Sequence, residues 1–406
     1  MTEGTSIRRW SGLPDIALAA AICIICASPA PAQNAGSQKQ LSDQVFKNVQ
    51  VLKGIPVDDF LGTMGVMSAA LGYDCSECHT NAGTDKVDWA ADTQKKVMAR
   101  KMVVMMRSIN QQNFSGRQMV TCWSCHHGRD RPSTTMSMET VYGPANMETD
   151  DMLTQMPGQP QAQVIIDKYL KALGGAEKLE AIKSYVGQGT SVGFGGFGGG
   201  GHVQIYAKFP DQRATYIEFA ESTGRGDSIR TCNGTTAWIM TPLTILGRYE
   251  VTGGELDGAK LDAELGFPAQ IPKVLTNLRV SLPITISDLP GPESQTGQQA
   301  AGAGIGKDRL VNVVQGTGPN GVLATMYFDQ ETGLLMRVVR LERGPIGRVP
   351  TSVDYSDYRD VNGVKMPFRI TFAWLDGRDA LQLDQIQTNV PIDEAKFGKP
   401  VSSKEK

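Results

Sequence analysis

Two short runs constrain this chain more than anything else in it: Cys75-Ser76-Glu77-Cys78-His79 and Cys122-Trp123-Ser124-Cys125-His126. In each, two thiols three positions apart are followed at once by an imidazole, which is the form of a c-type haem attachment site. Thiols at that spacing reach both vinyl groups of one porphyrin, and the adjoining His lies beneath the iron as its proximal ligand. Histidine is scarce, with 4 in 406 residues, so one after both pairs has odds of about one in ten thousand by random placement. A zinc site, a thioredoxin-like centre or a pair of disulfides would also use paired cysteines. None of them requires a His after each pair. The expected cofactors are therefore two covalently attached c-type haems, held by Cys75, Cys78, Cys122 and Cys125, with His79 and His126 on the iron.

The start of the chain supports that chemistry. Arg8 and Arg9 precede an apolar run over 16–27, and Ala30-Pro31-Ala32 offers a small-residue cleavage site. This order reads as a secretory signal peptide over 1–32, with an uncleaved anchor as the alternative. Cys23 and Cys26 fall inside the run and read as small apolar residues. Export to the periplasm, free or against the outer face of the inner membrane, agrees with c-type haem, which is attached outside the cytoplasm. The charge balance, 40 basic against 42 acidic residues, lacks the excess that a nucleic-acid binder carries.

Each motif is preceded by a helical pattern. Over 57–71, Phe60, Met64, Met67 and Leu71 recur at offsets of 4, 7 and 11, which is one face of a helix. Pro56 suits its first turn and Gly72 its end. Over 93–110 the same offsets return as Met98, Met102, Met105 and Ile109. A Met stripe alone more often packs a core than binds a metal. Here each haem already has one His, spare His are few, and a thioether is the remaining common sixth ligand. One Met per helix is expected on iron, its neighbour against the porphyrin.

At these residues the chain resembles a known family. Asn48-Val49-Gln50-Val51-Leu52-Lys53, Phe60-Leu61-Gly62-Thr63-Met64 and the first motif look like the first haem unit of the cytochrome c subunit of photosynthetic reaction centres. Val97-Met98-Ala99-Arg100-Lys101-Met102, Ile109-Asn110 and Val120-Thr121 with the second motif look like its second unit. The resemblance covers residues 45–132 and implies Met64 and Met102 as the sixth ligands. The family subunit carries four haems, whereas this chain has only the first pair. The family also has a His ahead of its second motif that serves a distant haem, and residues 111–119 contain none. No cysteine-based lipid anchor is evident, so docking on a reaction centre does not follow from the resemblance.

His127 reads as a surface or propionate-contacting side chain, His202 as a strand residue without a role, and Cys232 as a buried, unreactive thiol. Residues 133–162 are rich in Pro, Met, Thr and Gly and read as a linker. A short amphipathic helix over 163–173 then ends at Gly174-Gly175. Strands are expected at 203–209, 214–219, 322–328, 334–341 and 363–374, with turns at Asn320-Gly321, Asn362-Gly363 and Asp376-Gly377. Gly193, Gly195 and Gly198 spell a dinucleotide loop, but a strand follows, so 193–201 reads as a hairpin loop. Residues 357–368 resemble the last strands of the outer-membrane lipoprotein-carrier fold, a curved half-barrel.

The expected architecture is α+β. A mainly helical dihaem cytochrome module over 33–132 is joined by the linker to an antiparallel, half-barrel-like β domain over 163–400, with a covering helix. The function that follows is single-electron transfer to and from partner proteins, a membrane-bound electron-transfer complex or reaction centre among them, and not catalysis. Two alternatives make different demands. A dihaem peroxidase needs an open or labile sixth position on one haem. A redox-linked binding protein for an apolar ligand needs a lined cavity in the β domain.

Overall fold

Short β-branched and aromatic stretches between tight turns can satisfy their backbone only by pairing with one another, and here they build one sheet. The computed structural model describes residues 39–401, apart from 85, 137, 143–152, 192–199, 221–225, 242–245, 288–306 and 376. The expected leader, most of the glycine loop and Asp376 therefore lie outside the described residues.

The helices are α1 (Ser42–Val45), α2 (Val57–Leu71), α3 (Gln94–Asn113), α4 (Trp123–His126), α5 (Met138–Tyr142), α6 (Ala162–Leu173), α7 (Ala176–Ala181), α8 (Gly253–Leu265) and α9 (Ile271–Val274). The strands are β1 (Ser184–Ser191), β2 (His202–Lys208), β3 (Gln212–Glu218), β4 (Ser228–Asn233), β5 (Ala237–Met240), β6 (Arg248–Val251) and β7 (Thr276–Val280). They continue with β8 (Ile284–Ser287), β9 (Asp308–Thr317), β10 (Leu323–Asp329), β11 (Leu335–Gly344), β12 (Gly347–Val361), β13 (Val364–Trp374) and β14 (Gly377–Thr388). The order in the sheet is β6-β5-β4-β3-β2-β1-β14-β13-β12-β11-β10-β9-β7, with β8 also on β9. All of these pairs are antiparallel, so the fold is a mixture of helices and an open antiparallel sheet. The first strand closes onto the last, Tyr185 facing Thr388. Asn362 and Gly363 turn β12 into β13 with φ of 56° and 79°, the two left-handed residues that a two-residue hairpin needs.

α6 covers the sheet as expected. Its Ile165, Ile166, Tyr169, Leu170 and Leu173 are buried against a core that includes Ile205 and Phe328, with the Tyr169 and Phe328 rings 5.2 Å apart. Part of the stretch read as a linker also lies on the sheet: Leu153 N–H donates to Gln315 Oε1 at 2.8 Å and Met156 N–H to the Val280 carbonyl at 2.9 Å.

The helical segment is not tethered to the sheet through that stretch alone. Val66 of α2 and Val103 and Met106 of α3 share a core with Ile346 from the β11–β12 turn and Val349 from the start of β12. Val57 packs with Cys232, Tyr249, Val251 and Ala263. A Cβ on Gly65 would come within 3.0 Å of the Trp374 ring, so α2 approaches the sheet as closely as a glycine allows. Cys232 is 3% exposed and burial pushes its thiol up, as expected of an unreactive cysteine.

α2 and α8 meet at their N-termini. The buried Asp58 carboxylate accepts from Thr252 N–H and, at 3.1 Å, from Thr252 Oγ1. Beside it, Asp59 is pushed up to about 6, first by burial and then by the charges of Asp58 and Glu255, with Lys39 opposing. A carboxyl raised in this way stabilises the fold while protonated and loses that contribution as pH rises from 3.8 through about 6. Asp59→Asn should therefore stabilise the protein near pH 7, by about 1 kcal/mol once solvent screening of this half-exposed group is allowed for. Urea unfolding on both sides of that pH window checks this, and an unchanged difference between wild type and variant across it would count against it.

Candidate functional site

A Cys-x-x-Cys-His run can serve one haem only if both thiols and the imidazole share a face, and a helical turn achieves this at positions i, i+3 and i+4. The first run forms such a turn. Asp74 caps it by accepting from Ser76 N–H at 2.7 Å, and His79 N–H donates to the Cys75 carbonyl at 2.9 Å. Thr93, which caps α3 by accepting from Lys96 N–H, donates its hydroxyl to the Cys78 carbonyl at 2.9 Å. Lys95 pairs with Glu77. The first motif is thereby fixed at the N-terminal end of α3. The His79 ring stands edge-on to Trp89, centroids 5.0 Å apart. Its Nδ1 is buried without a hydrogen-bond partner among the described residues. Burial, with the Lys96 charge, holds this imidazole below its usual range against the opposing Trp89 backbone. The neutral ring, the form that ligates metals, is favoured.

The second run repeats the turn, His126 N–H donating to the Cys122 carbonyl at 3.1 Å. His126 Nδ1 lies 3.0 Å from the Arg129 carbonyl. With the proton on Nδ1, this hydrogen bond orients the ring and leaves Nε2 as a lone-pair donor. Gly128 N–H donates to the Ala70 carbonyl at 2.9 Å, which ties the turn to the end of α2. Gly72 closes α2 at φ 66°, and a Cβ there would run into the Gly128 carbonyl oxygen. His127, φ 50°, is exposed beside Trp123, ring centroids 5.7 Å apart. His202 is exposed on β2.

The stripes singled out in the sequence are not the most buried faces of their helices. On α2 the buried positions are Val57, Asp58, Thr63, Gly65, Val66 and Ala70, with Met64 and Met67 half-buried beside them. On α3 they are Val103, Met106 and Asn110, one position round from Met102, Met105 and Ile109. Met98 and Met105 are 52% and 47% exposed, and Met102 is half-buried. Met64 and Met67 pack into the cluster that also holds Cys122, whereas the sequence pairs Met64 with His79.

Asn110, quoted in the sequence only as part of the resemblance, has a bracing role that the pattern did not reveal. Its Nδ2 donates to the Val120 carbonyl at 2.7 Å, and its Oδ1 accepts from Met119 and Val120 N–H at 3.1 and 2.9 Å. One buried amide thus fixes the irregular segment leading into the second motif. The available signal was a polar side chain at the position where the apolar face of α3 continues.

Other uses of the cysteines fit poorly. A thioredoxin-like centre needs its first thiol pulled down, while burial pushes the Cys122 thiol up. Among the described residues no three His, Cys, Asp or Glu side chains gather as a metal cluster, so the two pairs are not halves of one tetrahedral site.

Residues 12–168 match the family model of the photosynthetic reaction centre cytochrome C subunit. That span is less than half of the chain. Over 139 residues the chain is 29% identical to the photosynthetic reaction center cytochrome c subunit of Rubrivivax gelatinosus, covering 33% of this chain and 35% of that one. Over 96 residues it is 31% identical to the same subunit of Thermochromatium tepidum, covering 22% of each. The chain thus matches about a third of the first relative's length and about a fifth of the second's. Among solved structures it is similar to a LolA superfamily protein from Nitrosomonas europaea, with a TM-score of 0.35 and 12% identity over 59% of this chain and 99% of that one.

The residues present suit the haems that such cytochromes carry. Each run places two thiols and one imidazole at positions i, i+3 and i+4 of a helical turn, Nδ1 of His126 lies 3.0 Å from a carbonyl, and Met98 and Met105 of α3 are exposed. Beside the sheet, where α7 and α9 meet the β2–β3 turn, a cavity of about 220 Å3 is lined by Ile182, Phe209 and Phe267 with Lys183 and Lys273 among its other lining residues. It is smaller than the roughly 300–1,000 Å3 usual for small-molecule sites. No helix among the described residues is long and apolar enough to cross a membrane.

Proposed function

We propose that this chain is a periplasmic dihaem c-type cytochrome that passes single electrons between partner proteins. Cys75 with Cys78, and Cys122 with Cys125, would attach the haems. His79 and His126 would be the proximal ligands, and Met64 and Met102 the sixth. The observation that carries the reading is the repeated helical turn with two thiols and an imidazole at i, i+3 and i+4, each beside a helix with an incompletely buried Met stripe. Haem, when bound, supplies a one-electron ferric/ferrous couple.

The chain's own part is to hold and shield. The Arg129 carbonyl keeps the His126 ring oriented with Nε2 free to donate, and Asn110 braces the approach to that turn. The Met64 and Met102 thioethers would hold the position that peroxide needs and would favour the reduced state of a bound haem. Similarity to reaction-centre subunits supports a membrane-bound electron-transfer complex as the class of partner, with residues 133–162 leading into a sheet domain over 163–400 whose own role is separate from iron ligation.

Denatured, acid-extracted protein should retain about two haems per chain by its pyridine haemochrome spectrum, because thioether bonds survive denaturation. Release of all haem into the extract, or zinc in place of iron in a metal assay, would sink the reading.

A further inference from the structure

The chain's charge sums to −2, yet residues 93–131 carry eight basic residues against one acidic residue, Asp130. α3 concentrates the imbalance: it holds Lys95, Lys96, Arg100, Lys101 and Arg107 and no Asp or Glu. Two of these charges are answered locally, Lys95 by Glu77 and Arg100 by Asp92 at 2.7 Å. Arg107 donates to the Val51 carbonyl, a neutral group, at 2.6 Å. Lys101 is exposed between Val97 and Val104, which are 40% and 57% exposed. These three lie at offsets of 4 and 7, so they form one stripe along the outside of the helix. Val97 and Val104, only partly covered by their own chain, flank an exposed cation on a helix that carries no acidic residue, which leaves a small basic face with aliphatic edges.

We propose that the outer stripe of α3, Val97, Lys101 and Val104, is the docking face for an acidic electron-carrier protein. This rests on the electron-transfer reading, since the stripe adjoins the Met98, Met102 and Met105 face assigned to the haem. Charge picks the partner. A basic field steers an acidic protein and raises its rate of encounter, and a face this small suits the transient contact that electron carriers make. A lipid surface is the poorer match. Helices that lie in a membrane bury a broad face of Trp, Phe or Leu, and the centre of this stripe is a Lys flanked by two Val.

The test uses matched probes of opposite charge. The haem-loaded protein is titrated calorimetrically with mitochondrial cytochrome c, which is basic, and with its succinylated, acidic form, at low and high ionic strength. The acidic probe should bind at low salt and weaken at least about tenfold at high salt, and the basic probe should not bind. Lys101→Glu together with Val104→Asp should weaken the acidic probe by at least about tenfold, Lys101→Arg should leave it bound, and Lys171→Glu on α6 should change it less than about twofold. Equal losses in the α3 and α6 variants, or no salt-dependent binding at all, would overturn the docking face. So would sedimentation with vesicles of equal phosphatidylglycerol and phosphatidylcholine that the α3 variant abolishes, since the occupant would then be a membrane. Haem content is read on the same samples. Missing haem sinks the electron-transfer reading, whereas missing binding in protein with both haems sinks only the docking face.

Discussion

Cys78→Ala and Cys125→Ala should each bring the haem content down from about two toward one per chain, because each removes one of the two thioether bonds at a single site. Neither of these cysteines packs into a hydrophobic core. Cys125 is exposed and Cys78 half-buried, whereas Cys122 packs into the cluster that joins α2 and α3 to the sheet. Neither substitution opens a cavity in that core, so loss of haem can be separated from loss of fold by an unchanged sheet signal in far-ultraviolet circular dichroism. The double variant should approach zero covalent haem. Retention of both haems by each single variant, with the same extracted spectrum as wild type, would mean that the thiols do not carry the cofactor. A loss of both haems from one substitution would instead make attachment at the two turns interdependent, a real prospect where the second turn hydrogen-bonds back to α2 through Gly128 and Ala70.

How far the sequence could be read depended on whether local chemistry or a distant neighbour decided each element. α2 was legible to the residue because Pro56 stands at its start and Gly72, left-handed, closes it. α6 was legible because its apolar positions keep a clean helical period against the sheet. β2, β3, β10, β11 and β13 announced themselves through β-branched and aromatic residues beside tight turns. β12 did not. It runs through Pro350 and a string of charged and hydroxyl residues whose partners, such as Arg337 paired with Asp354 at 2.7 Å, stand on the adjacent strand. α8 was hidden for a related reason: its Gly258 reads as a helix breaker, yet a Cβ there would collide with Arg340 and Glu342 from β11. The close approach comes from side chains of the strand beneath and is invisible in the helix's own pattern.

The two Cys-x-x-Cys-His turns were the most legible part of the candidate site, because such a run is local by nature. The supports of those turns were not. Asn110 bracing residues 119–120, the Arg129 carbonyl on His126 and the Thr93 hydroxyl on Cys78 are each set by tertiary contact. The periodicity of α3 also divides into two adjacent stripes that both carry Met, and the sequence alone could not say that Val103 and Met106 face the protein while Met98 and Met105 remain exposed. That division matters for function. An apolar stripe that the protein's own core does not cover is available to a large flat cofactor, and Met102 lies within it.

Met64→Ala and Met102→Ala should each free the sixth position of one haem, with cyanide affinity rising by at least about tenfold, or about 1.4 kcal/mol, and the potential of that haem falling. Met67→Ala and Met105→Ala are the controls, one helical turn further on. The structure separates the two controls. Met67 is half-buried in the cluster with Val66 and Val103 and should cost about 2 kcal/mol in urea unfolding, near the low end for a buried Met. Met105 is 47% exposed and should cost less than about 1 kcal/mol. Neither control should admit cyanide. Which haem responds is itself informative, since Met64 shares its cluster with Cys122 of the second turn, while the sequence pairs it with His79. Combining each Met variant with Cys78→Ala or Cys125→Ala identifies the haem: cyanide binding by Met64→Ala that persists when the first turn has lost its haem would reassign Met64 to His126. Cyanide binding that rises in the controls but not in Met64→Ala or Met102→Ala would move the ligands by one turn on both helices. Rapid binding by the unmutated protein would remove the thioethers from the iron altogether, and with them the ground for reading this chain as an electron carrier in preference to a peroxidase.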